Sequence, residues 1–247
     1  MNVLGRELSE RFGHLYSEAV KAIQRPIEFK PLSSLHGVSP NLRGCTRTEN
    51  DIKAIYLDTK LSDKQFELTA VHELCHRLLR TQGIGIDFQV DGIPQDLRQQ
   101  AEQEAGEFLD CFSHVAVNHC MKNHGYDIDD YDKPYLGKLR RFIRRRQPVN
   151  QSGLALHTAG YISHVYRQKY GCPSTKVDEL TNLYMIWQPA IIQLAKRVIQ
   201  QIPDVDIISS TGCYQATKAL RDALSRELAF DLSSRIKLKN PKTGQPE

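Results

Sequence analysis

A chain of 247 residues with 40% hydrophobic and 25% charged residues has the balance of a globular protein able to bury a sizeable core, which excludes wholesale disorder. Its formal net charge of +4 is a mild basic excess, short of the concentrated positive field of a dedicated nucleic-acid binder, so nucleic acid is not the expected partner. The N-terminus scatters Glu and Arg among its apolar positions and no stretch is long and apolar enough to span a bilayer, so the expectation is a cytoplasmic protein without a membrane partner.

Residues 6 to 24 place Leu8, Phe12, Leu15, Ala19 and Ile23 at helical spacing, and Pro26 ends the pattern, which predicts an opening amphipathic helix. A passage rich in Pro, Ser and Gly follows. Ile52 to Leu57 are β-prone, closed by Asp58 and Thr59, and read as one strand. Ser62 with Gln65 three residues later has the form of a capping box and opens a helix expected to run to about Leu79. After Gly83, Gly85, Asp91, Gly92 and Pro94, residues 96 to 122 resume a long helical pattern. The acids Asp127, Asp129, Asp130 and Asp132 are spaced somewhat like a calcium loop, but the central Gly and terminal Glu of an EF-hand are missing, so a solvated acidic loop is expected.

Lys138 to Arg146 hold six basic residues and no acid, with Leu139, Phe142 and Ile143 interleaved at helical spacing, which predicts an amphipathic helix with a solvated basic face. The polar interruption at 147 to 151 is the expected internal boundary. It divides a domain at 1–146 from a helical region at 147–238, with a turn around Gly171-Cys172-Pro173, a kink at Pro189, a break near Pro203, and a disordered tail at 239–247. Cys45, Cys75, Cys111, Cys120, Cys172 and Cys213 lie far apart with no C-x-x-C pair, as suits isolated buried thiols.

Residues 72 to 76 read His-Glu-Leu-Cys-His. Zinc favours imidazole nitrogen, and residues four apart share one helix face, so His72 and His76 can reach a single Zn2+ while Glu73 serves as general base. Composition alone gives only about 0.02 chance matches to such a pattern. Around the helix, Val71, Leu74, Cys75 and Leu78 share one side while Thr69, His72, Glu73 and His76 lie opposite, as expected of a core face and a cleft face.

The run IKAIYLDTKLSDKQFELTAVHELCH resembles the core of the ImmA/IrrE-type zinc metallopeptidases, where a strand leads through a short turn into the H-E-x-x-H helix, and EQEAGEFLDCF at 102 to 112 is similar to that family's downstream Glu-x-Glu-Ala helix. The likeness covers about residues 50 to 115. It departs from the family at Leu109-Asp110-Cys111-Phe112-Ser113. It implies an α+β fold, mainly helical, with a zincin-like catalytic core, a small sheet and a helical C-terminal region. It also implies a third metal ligand, a Glu on the second helix. Glu102 and Glu104 both qualify by position. Glu104 lies nearer the centre of that helix's apolar face and is the choice; Asp110, His114 and His119 are rivals.

The function so implied is a zinc-dependent intracellular endopeptidase that hydrolyses peptide bonds of a restricted protein substrate, with a regulator as a further partner and Glu73 activating the zinc-bound water. Tyr126, Tyr131 and His124 are available as oxyanion donors, and strand 52–57, if it lay at a sheet edge, could pair an extended substrate. The alternative is a catalytically inactive zinc-containing module that binds protein or nucleic acid. The retained Glu73 favours catalysis.

Overall fold

The structure, a computed structural model, describes residues 1–36, 42–49, 52–92, 94–95, 98–128, 137, 139–141, 143, 145, 149–172, 176–229, 231–241 and 243–247. Asp129, Asp130, Tyr131 and Asp132 lie outside the described residues, as do Lys138, Phe142, Arg144 and Arg146 of the basic run. The chain is mainly helical α+β, and it divides into two units. One comprises Met1–Gln82 and Cys120–Lys133; the other comprises Gly83–His119 and Pro134–Glu247.

The first unit opens with a two-stranded antiparallel ribbon, β1 (Asn2–Val3) and β2 (Arg6–Glu7), and the helix α1 (Glu10–Ile23). Ser9 caps α1 by accepting from the Phe12 amide at 3.3 Å, and Gln24, at φ 55, ends it in the left-handed conformation before Pro26. Phe12, Leu15 and Ala19 of the expected apolar stripe are fully buried. A three-stranded sheet follows in the order β3 (Ile27–Pro31), β5 (Ile52–Leu57), β4 (Gly44–Glu49), with β3 parallel and β4 antiparallel to β5.

The strand at 52–57 therefore holds the centre of the sheet, paired on both sides, and cannot be the edge that receives a substrate. The edge beside the motif helix is β4, a strand hidden in the sequence. Its residues Gly-Cys-Thr-Arg-Thr-Glu carry no alternating apolar row, which is how a half-exposed edge strand escapes periodicity.

Helix α2 (Asp63–Thr81) packs on α1 and on both β4 and β5. Its start is held from outside: Arg6 donates to the Leu61 carbonyl at 2.8 Å, the Asp63 carboxylate at 2.9 Å and the Thr59 carbonyl at 2.6 Å, while its guanidinium lies over the Phe66 ring at 4.7 Å. Ser62 accepts from the Gln65 amide at 3.4 Å, the N-cap half of the expected box.

In the second unit, a short antiparallel ribbon joins β6 (Phe88–Val90) to β7 (Ile236–Leu238). Helix α3 (Arg98–Asn123) packs on α4 (Gln151–Lys169), the pair tied by Ser163 Oγ donating to the Cys111 carbonyl at 2.7 Å and by the Cys111 thiol donating to Ala159 at 3.0 Å. Then come α5 (Lys176–Trp187), α6 (Pro189–Ile199), α7 (Ser210–Leu228) and the short α8 (Leu232–Arg235).

Pro189 does not kink a helix but starts one, at a first-turn position where its missing N–H costs nothing. Of the basic run, Leu139 is buried and Arg140 donates to Glu179 at 2.8 Å. Where the sequence predicts a disordered tail, Glu247 exchanges backbone hydrogen bonds with Leu238 at 3.0 and 2.8 Å and accepts from Tyr214 at 3.0 Å. All six cysteines are free.

Candidate metal and catalytic site

The H-E-x-x-H residues occupy the middle of α2, so helix geometry alone places His72 and His76 one above the other. Their rings meet edge to face, with centroids 4.8 Å apart and planes at 79°, and the two Nε2 atoms face each other at 3.2 Å. Two nitrogens bound to one tetrahedral zinc at about 2.0–2.1 Å lie about 3.3–3.4 Å apart, so this spacing fits a shared metal ion.

The core face is as expected, with Val71, Leu74 and Cys75 fully buried. The polar face is not open, however: Thr69, His72 and Glu73 are only 1%, 5% and 8% exposed, and only His76 of the motif's polar residues is half-buried. The reason is β4, whose Gly44 abuts this face. A Cβ at Gly44 would lie 2.7 Å from Thr69 Cγ2 and 3.1 Å from Glu73 Cγ, so only glycine lets the strand approach so closely. Glu73 thus sits in a walled position. Its charge reaches Cys45 on β4, whose thiol is pushed up to about 11, by burial first and by Glu73 next.

Arg77 fastens the same wall. It is buried and donates to the Arg47 carbonyl of β4 and to the Ala54 carbonyl of β5, the latter at 3.3 Å.

Two of the oxyanion candidates are engaged elsewhere in this unit. Tyr126 donates to Glu67 at 3.1 Å, and burial pushes its hydroxyl up to about 12. His124 bonds the Cys120 carbonyl at 2.8 Å and the Glu18 carboxylate at 3.0 Å. Tyr131 lies outside the described residues.

In the second unit, Glu102 pairs with Arg98 at 2.9 Å on the exposed side of α3. Glu104 is half-buried and lines a cavity of about 140 Å³ with Phe108, Leu232, Arg235 and Ile236. The wheel therefore ranks the two correctly for burial. His114 of α3 is also half-buried, Asp110 accepts from Ser113 at 2.8 Å, and the Nδ1 of His119 is buried with no acceptor or donor among the described residues.

No helix among the described residues is long and apolar enough to cross a membrane. No curated protein and no solved structure shows significant similarity to the chain. One family does: the IrrE N-terminal-like domain, Peptidase_M78, matches residues 32–145, a span that contains β4, β5 and the whole of α2. This match, over just under half of the chain, supports an ImmA/IrrE-type metallopeptidase over those residues.

Proposed function

We propose that the protein is a zinc-dependent endopeptidase acting on a restricted protein substrate, with His72 and His76 as ligands and Glu73 as the general base. The reading is carried by one observation: the two Nε2 atoms turned toward each other at 3.2 Å, with the intervening Glu73 held in a walled position. Zinc, when bound there, supplies a Lewis acid and a water of lowered pKa. Glu73 would accept a proton from the attacking water and return it to the leaving amine. The wall of β4 keeps its carboxylate from wandering, and β4, at the sheet's edge beside Glu73, offers main-chain groups to an extended substrate.

The third ligand belongs to α3 in this reading. Glu104 is the residue that the family resemblance implies, and His114, a rival on the same helix, offers an imidazole instead. A catalytic role for Glu73 distinguishes this reading from an inactive zinc-containing binding module, because such a module needs no base.

Six free thiols suit a reducing, cytoplasmic setting, in which cleavage must be restricted. The helical residues 147–238 are the region proposed to recognise the substrate or a regulator.

The test is zinc content together with cleavage of a peptide library and of a proteome extract. Glu73→Gln should keep the metal and lose about 100-fold or more of the turnover, as removal of a general base does. His76→Ala should lose the metal. Full zinc retention in His76→Ala, or unimpaired cleavage by Glu73→Gln, would overturn the proposal. A zinc-loaded wild type that cleaves nothing would favour the binding module.

A further inference from the structure

Beside the metal motif, the first unit holds a row of four side chains that the metallopeptidase reading does not use: Glu18 of α1, His124, Cys120 in the last turn of α3 and Cys75 of α2. His124 Nε2 meets the Glu18 carboxylate at 3.0 Å, while its Nδ1 meets the Cys120 carbonyl at 2.8 Å and the Cys120 sulfur at 3.8 Å. A carboxylate and a carbonyl can only accept, so both ring nitrogens donate and the ring is an imidazolium. The Cys75 thiol hydrogen-bonds the same Cys120 sulfur.

The row runs inward from the surface. Glu18 is exposed, His124 is half-buried, Cys120 is 8% exposed and Cys75 is fully buried. A small molecule entering past His124 therefore meets the Cys120 sulfur first, with Cys75 directly behind it. Other thiols are placed differently: Cys111 donates to the Ala159 carbonyl at 3.0 Å and Cys172 to the Tyr170 carbonyl at 3.9 Å, as small buried side chains with a weak donor do.

Two thiols in contact, the outer one beside a cation, have the arrangement in which one sulfur attacks an oxidant and its neighbour resolves the product. We propose that Cys120 and Cys75 form a peroxide-responsive thiol pair, in which Cys120 reacts with hydrogen peroxide and Cys75 closes an intramolecular disulfide. In the first step the Cys120 sulfur attacks one peroxide oxygen and the O–O bond breaks. The released hydroxide takes up the thiol proton and leaves as water, and Cys120 becomes a sulfenic acid. In the second step the Cys75 sulfur attacks the sulfenic sulfur, so that an S–S bond forms and the S–O bond breaks. The hydroxyl leaves with the Cys75 proton as a second water. Two thiols are thus oxidised by two electrons in all, and one peroxide is reduced to two waters.

The setting suits a reversible bridge rather than a permanent one, since disulfides in a reducing compartment are usually transient and redox-sensing. Cys75 immediately precedes His76, so the bridge would tie the proposed metal-binding turn of α2 to the last turn of α3. The thiol chemistry itself needs neither metal nor cleavage and stands whether or not the peptidase reading does.

The experiment treats the reduced full chain with hydrogen peroxide, alkylates the remaining thiols, and maps the digested protein by mass spectrometry. Free thiols should fall from six to four, with one new linked peptide joining Cys75 to Cys120, and dithiothreitol should restore all six. Cys75→Ser should stop at a sulfenic acid on Cys120 that dimedone captures, and Cys120→Ser should leave Cys75 reduced. Unfolding curves verify that each variant is folded, and the wild-type linkage decides the matter even where one is not. Six thiols retained after peroxide, a dominant bridge between any other two cysteines or between two chains, or dimedone captured on Cys75 instead of Cys120 would overturn the proposal. None of these measurements reads peptide cleavage or zinc content, so their failure is distinct from failure of the metallopeptidase reading.

Discussion

The closest approach in the candidate site is that of β4 to α2 at Gly44, and Gly44→Ala tests whether it is needed. The new methyl would sit 2.7 Å from Thr69 Cγ2, a distance that real Cβ atoms essentially never show, and 3.2 Å from the Tyr56 carbonyl. Thr69 cannot simply rotate away, because its hydroxyl is committed to the Gln65 carbonyl at 2.7 Å. Overpacking of this kind costs about 1–3 kcal/mol, which for a chain of this size lowers Tm by roughly 2–4 °C per kcal/mol. Urea unfolding should show a lower midpoint with an unchanged slope.

Thr69→Ser removes the offending Cγ2 and keeps the hydroxyl, so Gly44→Ala/Thr69→Ser should recover stability, with a coupling of about 1 kcal/mol in a double-mutant cycle. The strand shift should also displace Glu73 and cost up to about 100-fold in peptide turnover. A Gly44→Ala protein as stable and active as wild type, or a cycle with no coupling, would refute the close-approach argument.

Two further predictions concern the first unit. Arg6→Ala removes three hydrogen bonds, one of them to the Asp63 carboxylate, from the start of α2 and should destabilise the chain by about 1–3 kcal/mol in urea unfolding; Arg6→Lys should recover only part, since one ammonium cannot reproduce the fork. At His124 burial opposes the charge, but the Cys120 carbonyl and the Glu18 carboxylate outweigh it, so the folded pKa lies above the ordinary 6.5. The resulting stabilisation is fully present below pH 6.5 and is lost as pH rises through the folded value. The stability gap between wild type and His124→Gln should therefore shrink with rising pH across that window, and a gap that widens would reverse the sign of the interaction.

What the sequence showed of the fold followed from local physics. β5 occupies the residues its β-branched and aromatic run predicts, and α2 begins at its predicted cap and carries the H-E-x-x-H face. Three kinds of feature lay beyond its reach. β4 and β3 have sequences without a clean period. β6 pairs with β7 some 146 residues away, so neither strand carries a sign of its partner. The burial of the polar face of α2 is a consequence of Gly44, whose role depends on a strand that the sequence did not disclose. Within the candidate site, spacing points to His72, Glu73 and His76, because four residues on one helix is a purely local relation. A ligand from another helix is a long-range relation, and a wheel gives only the side of α3 on which it stands.

That limit makes the third ligand the sharpest remaining test. Glu104 and His114 are ten residues apart on one helix, about 15 Å along its axis and about 80° around it, so one ion cannot take both. Cys120, six residues or about 9 Å beyond His114 on the same helix, hydrogen-bonds Cys75, the neighbour of His76. Glu104 lies sixteen residues, about 24 Å along the helix axis, from Cys120. It has, moreover, a cavity of its own with Arg235. The expectation from these lengths is that His114→Ala lowers zinc affinity by more than the roughly 10- to 100-fold typical of a lost supporting contact, while Glu104→Gln leaves it within a few-fold of wild type. Competition against a zinc-chelating dye reads both, with unfolding curves to verify that each variant is folded. The reverse ranking would restore the glutamate that the family resemblance implies. Unchanged affinity in both variants would exclude Glu104 and His114 and leave Asp110 and His119 as the rivals on α3.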